Sequence, residues 1–341
     1  MARILLTGAT GYIGGETLHQ LATSGAKYAI TCLVRPQKAS LIARAYPSVR
    51  IAEGDLDDVE IVEKEASEAD IVIHLASTKH VPSCNAIIRG LSTTGRSAPG
   101  YWIQMSGASL FSAEEIKSDT YGEAAGKFYD NLKDADEIRS IISSSPSRVV
   151  DNLVLAQQPS SIKTALVVGP LIYGRGRGPG NTRSIQGPES AKYTLQQGQG
   201  FRLSAGKSVW SNVHVRDVGS LICLLVSAAT AKKEGIWNQD GIYLPENGHM
   251  AFGDLTALIA KEAHRQGFIQ SPTVEKVINP ADGDEITPHA AILLGTNAKL
   301  VESRARRDLG WQPSGFSLED EVADMVTREA KDLGLEAHIG E

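Results

Sequence analysis

The run TGATGYIGG, Thr7 to Gly15, follows the apolar segment ARILL directly and leads into a helix-forming stretch. Few folds accommodate that order. Gly8 lets the chain turn tightly out of a strand, Gly11 lets a bulky anion approach the backbone, and Gly14 lets the following helix pack close on the strand. The free N–H groups of the helix's first turn then face the anion, which in a dinucleotide is the pyrophosphate. Thr10, Tyr12 and Ile13 complete the predicted cradle.

Further apolar runs recur along the chain: AITCLVR (29–35), VRIAEGDL (49–56), DIVIHLA (70–76), YWIQMS (101–106) and TALVVG (164–169). Helix-forming segments separate most of them. Near-continuous apolar strands joined by crossover helices predict a parallel sheet covered on both faces. The expected fold class is therefore α/β, a doubly wound Rossmann sheet with a smaller, discontinuous C-terminal substrate lobe. Residues 1–173 should form the dinucleotide domain, with a strand and an apolar helix returning to it at about 212–240. Residues 174–211 and 241–341 then form the lobe. The stretch GRGRGPGNTRSIQGP (174–188) is too rich in Gly, Pro and Arg for a regular element and reads as a linker or lid.

A formal net charge of -6 over 341 residues offers no broad basic field. Small-molecule chemistry is expected, with no nucleic acid and no membrane among its partners. No run of 18 apolar residues occurs, and the N-terminal segment enters the glycine turn without a signal-cleavage pattern, so a cytoplasmic location is expected. Cys32, Cys84 and Cys223 lack CxxC or CxxH partners and read as buried apolar residues, not disulfide or metal positions. A homodimer is left open.

The second strand ends in LVRP where NAD-preferring folds place a carboxylate for the ribose 2′-OH. Arg35 at that place suits a 2′-phosphate, so the expected cofactor is NADP(H). Asp55 and Leu56, closing the third strand, are placed beside the adenine; for Asp55 a capping role is the rival account.

In TGATGYIGG, GDL, HLA (74–76), GPLIYGRG (169–176) and HVRDV (214–218), the chain resembles the extended short-chain dehydrogenase/reductase superfamily, in family order across nearly its whole length. The resemblance implies that Ala76 and Ser77 line the cofactor and that Pro170 and Leu171 lie near the nicotinamide. It also implies a Ser–Tyr–Lys arrangement with a YxxxK pair on the helix after the fifth strand, the lysine tuning the tyrosine. Here the chain departs from its family. Counting back 22 residues from Tyr173 reaches Asp151, which sets Ser147 at the lysine and Ser143 at the tyrosine. The catalytic serine aligns with Gly107, leaving Ser106 one residue early. An insertion of about a dozen residues upstream holds a literal YxxxK, Tyr129 to Lys133, expected one helical turn apart on one face. Ser106, Tyr129 and Lys133 are thus the candidate catalytic residues.

His80, Tyr173 and Trp210 are candidate substrate residues, with a helix-surface histidine and a wedged tyrosine as the plainer alternatives. Trp210 stands where nucleotide-sugar members of the superfamily tend to carry a phosphate-pairing arginine, which favours an apolar ring over a sugar nucleotide. The resulting expectation is an NADPH-dependent reductase of a small or apolar carbonyl or enone substrate. An NmrA-like NADP-binding redox sensor without turnover and an NAD-dependent sugar epimerase or dehydratase are the alternatives.

Overall fold

The computed structural model describes residues 1–337. Its main sheet has seven strands: β1 Ala2–Thr7, β2 Tyr28–Val34, β3 Arg50–Glu53, β4 Ile71–His74, β5 Gly100–Gly107, β6 Ile162–Gly169 and β7 Ile242–Tyr243. They lie in the order β7-β6-β5-β4-β1-β2-β3 and every pairing is parallel. The order reverses between β1 and β4, and this opens a crevice at the carboxyl ends of the strands where ligands of such sheets bind.

The six apolar runs of the sequence are the first six strands. They are apolar almost throughout because helices cover both faces. On one face α1 (Tyr12–Thr23) and α7 (Val215–Thr230) bury Leu18, Leu21, Leu221 and Leu225 against Ile4, Ile73 and Ile103. On the other, α3 (Val59–Glu68), α4 (Val81–Leu91) and α6 (Val149–Leu155) pack Val62, Ile87 and Val154 against Leu5, Val72 and Trp102. At ~25 cal/mol per Å² of apolar area, each such Leu or Ile contributes roughly 1.5–3 kcal/mol. Between these elements α2 (Pro36–Ala45) and α5 (Ala135–Ser144) complete the crossovers.

Two features differ from the sequence expectation. The returning helix α7 does pack on the main domain, but the strand before it, Val209–His214, pairs with Leu171–Tyr173 and His249–Ala251 in a separate three-stranded sheet. The seventh main-sheet strand is only two residues long, too short to carry a periodic signal. Among the described residues no helix is long and apolar enough to cross a membrane. Cys32 and Cys84 are buried, as expected, whereas Cys223 is partly exposed.

Candidate functional site

β1 ends at Thr7 and Gly8 adopts φ 79°, a left-handed turn that a side chain disfavours. A Cβ at Gly14 would lie 2.1 Å from the Gly8 carbonyl oxygen, so the helix can approach the strand only without one. Gly11 caps α1 in extended conformation, with no side-chain cap and no acid in the first turn. The first-turn amides of α1, Tyr12 and Ile13 among them, have no carbonyl above them within the helix and lie at the positive end of its dipole. This cradle fits a pyrophosphate.

The arginine-rich segment after Tyr173 is strapped across the cradle. Tyr12 donates its hydroxyl to the Gly174 carbonyl at 2.6 Å, and the Asn181 amide donates to the Thr10 carbonyl at 3.0 Å. A Cβ on Gly178 would lie 2.4 Å from Gly15 Cα, and one on Gly180 2.2 Å from the Thr10 oxygen. Arg177 donates its amide to Glu16 at 2.9 Å and pairs its guanidinium with the same carboxylate, which is fully buried. Burial opposes that charge, but hydrogen bonds from Arg177 and Gln20 hold the Glu16 carboxyl below its ordinary range. Arg183 is likewise committed, to Glu189 and Glu329.

On the adenosine side Arg35 is the N-terminal cap residue of α2, exposed, and joins none of the ion pairs formed among the described residues. A free guanidinium at the end of β2 is what a 2′-phosphate requires. Asp55 is exposed, and its carboxylate accepts the Asp57 amide at 2.8 Å in the turn ahead of α3, without capping that helix. The cap of α3 is Asp58, and Leu56 packs partly buried against the core. His80, a candidate substrate residue, is engaged by its own helix and by Asp57. Its Nδ1 accepts the Ser83 amide as the cap of α4 and its Nε2 meets Asp57 at 3.0 Å, which ties it to the adenosine end of the crevice.

On the nicotinamide side Ala76 is exposed at the end of β4, and Ser77 Oγ accepts the amides of Lys79 and His80 at 3.1 Å. Pro170 and Leu171 are buried just after β6. Ser106 ends β5 with its hydroxyl donating to Asp151 at 2.8 Å, both side chains nearly inaccessible. Burial raises the Asp151 carboxyl, against the opposing hydrogen bond from Ser106 and the charge of Arg148. Arg148 reaches over the end of β5, donating Nη1 to the Gly107 carbonyl at 3.2 Å and Nη2 to Ser109 Oγ at 3.0 Å. Sequence reasoning missed Arg148 and Ser109 because it sought a lysine as the cation and a serine only beside Gly107. The signal was there: Pro146 within SSSPSR ends one helix at Ser144, and the next begins at Val149.

The Tyr129–Lys133 expectation is corrected. Tyr129 lies on the short strand Phe128–Asp130, paired with Lys299–Val301, and not on a helix. Its ring stacks on Phe111 with centroids 4.6 Å apart, and the cation over it is Lys127 at 5.0 Å. Lys133 points outward with 85% of its side chain exposed and meets only Asp130, at 3.9 Å. Burial holds the Tyr129 phenol above its ordinary pKa, the reverse of what a paired lysine is for.

Tyr173 and Trp210 are also corrected. Tyr173 is buried, donates its hydroxyl to the Phe316 carbonyl at 2.8 Å and meets His214 edge-on. Trp210 is buried with its indole N–H donating to the Thr296 carbonyl at 2.8 Å. Both are core side chains with satisfied polar tips, and neither presents a face to a ligand.

Known proteins match this arrangement at two levels. The profile of the NAD dependent epimerase/dehydratase family matches residues 4–91, the part that holds the cradle and the first four strands. The oxidase ucsJ of an Acremonium species is 34% identical over 345 residues, covering 98% of this chain and 99% of its own. In fold the chain is similar to the dTDP-glucose 4,6-dehydratase DesIV of Streptomyces venezuelae, solved with NAD bound, at TM-score 0.65, 17% identity and 97% coverage of each chain. It is also similar to a UDP-glucuronic acid 4-epimerase mutant of Bacillus cereus in complex with NAD, at TM-score 0.67, 13% identity and 97% and 99% coverage. The protein belongs to the NAD-dependent epimerase/dehydratase family.

Proposed function

We propose that the protein is an NADP(H)-dependent oxidoreductase that interconverts a small carbonyl compound and its reduced form. The observation that carries this reading is the pairing of an open helix N-terminus at Gly11 with an exposed, uncommitted Arg35 at the end of β2. The first fits the pyrophosphate and the second the 2′-phosphate. The similar full-length protein carrying the name oxidase supports the reaction class. When bound, the reduced nicotinamide supplies a hydride equivalent to the substrate carbon. The chain's own part is to hold the dinucleotide, shield it with the strap of residues 174–184, and present polar groups at the end of β5.

The substrate reading is narrowed by what the structure removes. With Trp210 in the core, no aromatic plate favours an apolar ring. Arg177 and Arg183 are paired to carboxylates, which leaves no cluster of free arginines in the strap for a sugar diphosphate. A small carbonyl remains the better fit than a nucleotide sugar. Fluorescence titration with NADPH and NADH, followed by an NADPH-consumption screen over aldehydes, ketones and enones, tests the proposal. Binding of NADPH with turnover of at least one carbonyl is expected. Tight NADPH binding with no consumption across the screen would replace the enzyme by a dinucleotide sensor.

A further inference from the structure

The end of β5 holds a group of side chains that the YxxxK pattern does not account for. Arg148 stands one residue beyond Ser147, the position that spacing assigns to the lysine. We propose that Ser109 is the hydroxyl that hydrogen-bonds the reacting oxygen of the substrate, and that Arg148 is the positioning cation that holds and polarises it. The inference rests on the oxidoreductase reading for its chemistry but on the geometry alone for its pairing.

Four observations carry it. First, a guanidinium has donors and no acceptor, so at 3.0 Å from Arg148 Nη2 the Ser109 oxygen must accept, and its own O–H donates to no side chain or carbonyl among the described residues. Second, a Cβ built on Gly107 would meet nothing within 4 Å, so there is open space at the carboxyl end of β5, flanked by Ser109 two residues on. That end of the sheet lies on the nicotinamide side of the switch point. Third, Arg148 is mostly buried, its side chain 16% exposed, and its charge is answered by Asp151 at 3.8 Å. In that setting its field on Ser109 is less screened than at a surface. Fourth, Asp151, itself fixed by Ser106 at 2.8 Å, meets the same Nη1 that donates to Gly107, so one nitrogen of the guanidinium is held between a carboxylate and a carbonyl while Nη2 is directed to Ser109.

The chemistry differs from that of a tyrosine–lysine pair. Arginine stays protonated and cannot relay a proton. When the substrate carbon is reduced, the carbonyl electron pair moves onto oxygen, and that developing charge meets the Ser109 O–H beside the Arg148 cation. Water supplies the proton that completes the alcohol.

The test replaces Ser109 by a reporter that needs no substrate. In the full-length protein carrying Ser109→Cys, iodoacetamide alkylation at that position is followed against pH by mass spectrometry. Burial pushes the thiols of Cys32, Cys84 and Cys223 up to about 12, and peptide-resolved mass spectrometry reads alkylation at residue 109 separately from theirs. The new thiol is expected to titrate at least about one unit below the ordinary ~8.5. Adding Arg148→Gln is expected to bring it back up, and saturating NADPH should slow alkylation at least about fivefold, since the thiol would lie beside the nicotinamide. An unchanged titration in the double variant overturns the pairing. Undiminished alkylation at an NADPH concentration that saturates fluorescence overturns the placement. A wild-type protein that binds no NADPH overturns the proposed function and the substrate role of Ser109, while the titration still decides whether Arg148 and Ser109 are paired. On a carbonyl the wild type reduces, Ser109→Ala should lower kcat about a hundredfold with NADPH affinity kept, and Arg148→Lys should retain more activity than Arg148→Ala.

Discussion

The two ends of the crevice are built from different materials. At the phosphate end the chemistry is done by backbone: Gly8 turns, Gly11 caps, and the amides of α1 point outward. At the β5 end it is done by side chains, Arg148, Asp151, Ser106 and Ser109, brought together from a broken helix and a strand end. Backbone sites demand glycine at fixed spacings and so leave a mark that survives in a single sequence. Side-chain sites can exchange one cation for another, or shift by one residue, and the mark is lost.

The sharpest break of this comparison is Gly11→Val, whose added side chain would enter the pyrophosphate position with its Cβ 3.1 Å from the Gly8 oxygen. Binding of both dinucleotides should fall by more than about a thousandfold, roughly 4.1 kcal/mol, while the thermal transition persists. Retained binding would remove the cradle.

Next in size is a pH effect at the end of β4. His74 is buried, hydrogen-bonded to Thr7 at 2.7 Å, and burial holds its pKa down at about 4. Its folded pKa lies below the unfolded value of ~6.5, so its contribution is complete above pH 6.5 and is lost as pH falls toward 4. In denaturant titrations the fall in stability between pH 6.5 and pH 4 should be smaller by about 3 kcal/mol in His74→Leu than in the wild type, a difference that leaves out the buried Glu302, whose carboxyl is pushed up to about 7 and contributes with the opposite sign in both proteins. An equal slope in the variant would mean another group titrates there.

A smaller effect is expected at the 2′-phosphate. Wild-type protein should bind NADPH at least about tenfold more tightly than NADH, because a charge-assisted pair contributes about 1.5–3 kcal/mol. Arg35→Ala should bring the two affinities together, and an unchanged ratio would acquit Arg35. The smallest effect is the one that separates the two readings of the insertion: Tyr129→Phe should change kcat by less than about threefold, since its ring is held by Phe111 and burial keeps its phenol above the ordinary pKa despite the nearby Lys127. A loss of a hundredfold or more would restore the tyrosine as proton donor.

The sheet was legible because most of its strands are largely apolar runs between helices, a pattern imposed by burial on both faces, with the edge strand Arg50–Glu53 the least apolar of them. The cradle was legible for the backbone reason given above. The tyrosine and lysine of the insertion misled because a spacing of four implies a shared face only within a helix, and residues 128–130 are a strand pinned by Lys299–Val301, far away in sequence. Tyr173 and Trp210 misled for a related reason: an aromatic with a polar tip reads the same whether that tip meets a ligand or a backbone carbonyl, and here the carbonyls of Phe316 and Thr296 take them.

The strap has a consequence for the order in which the molecule is made. Glu16 sits in the first helix, yet the arginine that neutralises it lies 161 residues further on. Until Arg177 has left the ribosome, that helix cannot bury its carboxylate without leaving a charge uncompensated in the interior. The earliest turn of the chain is thus finished by one of its later segments, and a chain stopped at residue 173 should leave Glu16 without its partner and fail to retain a dinucleotide.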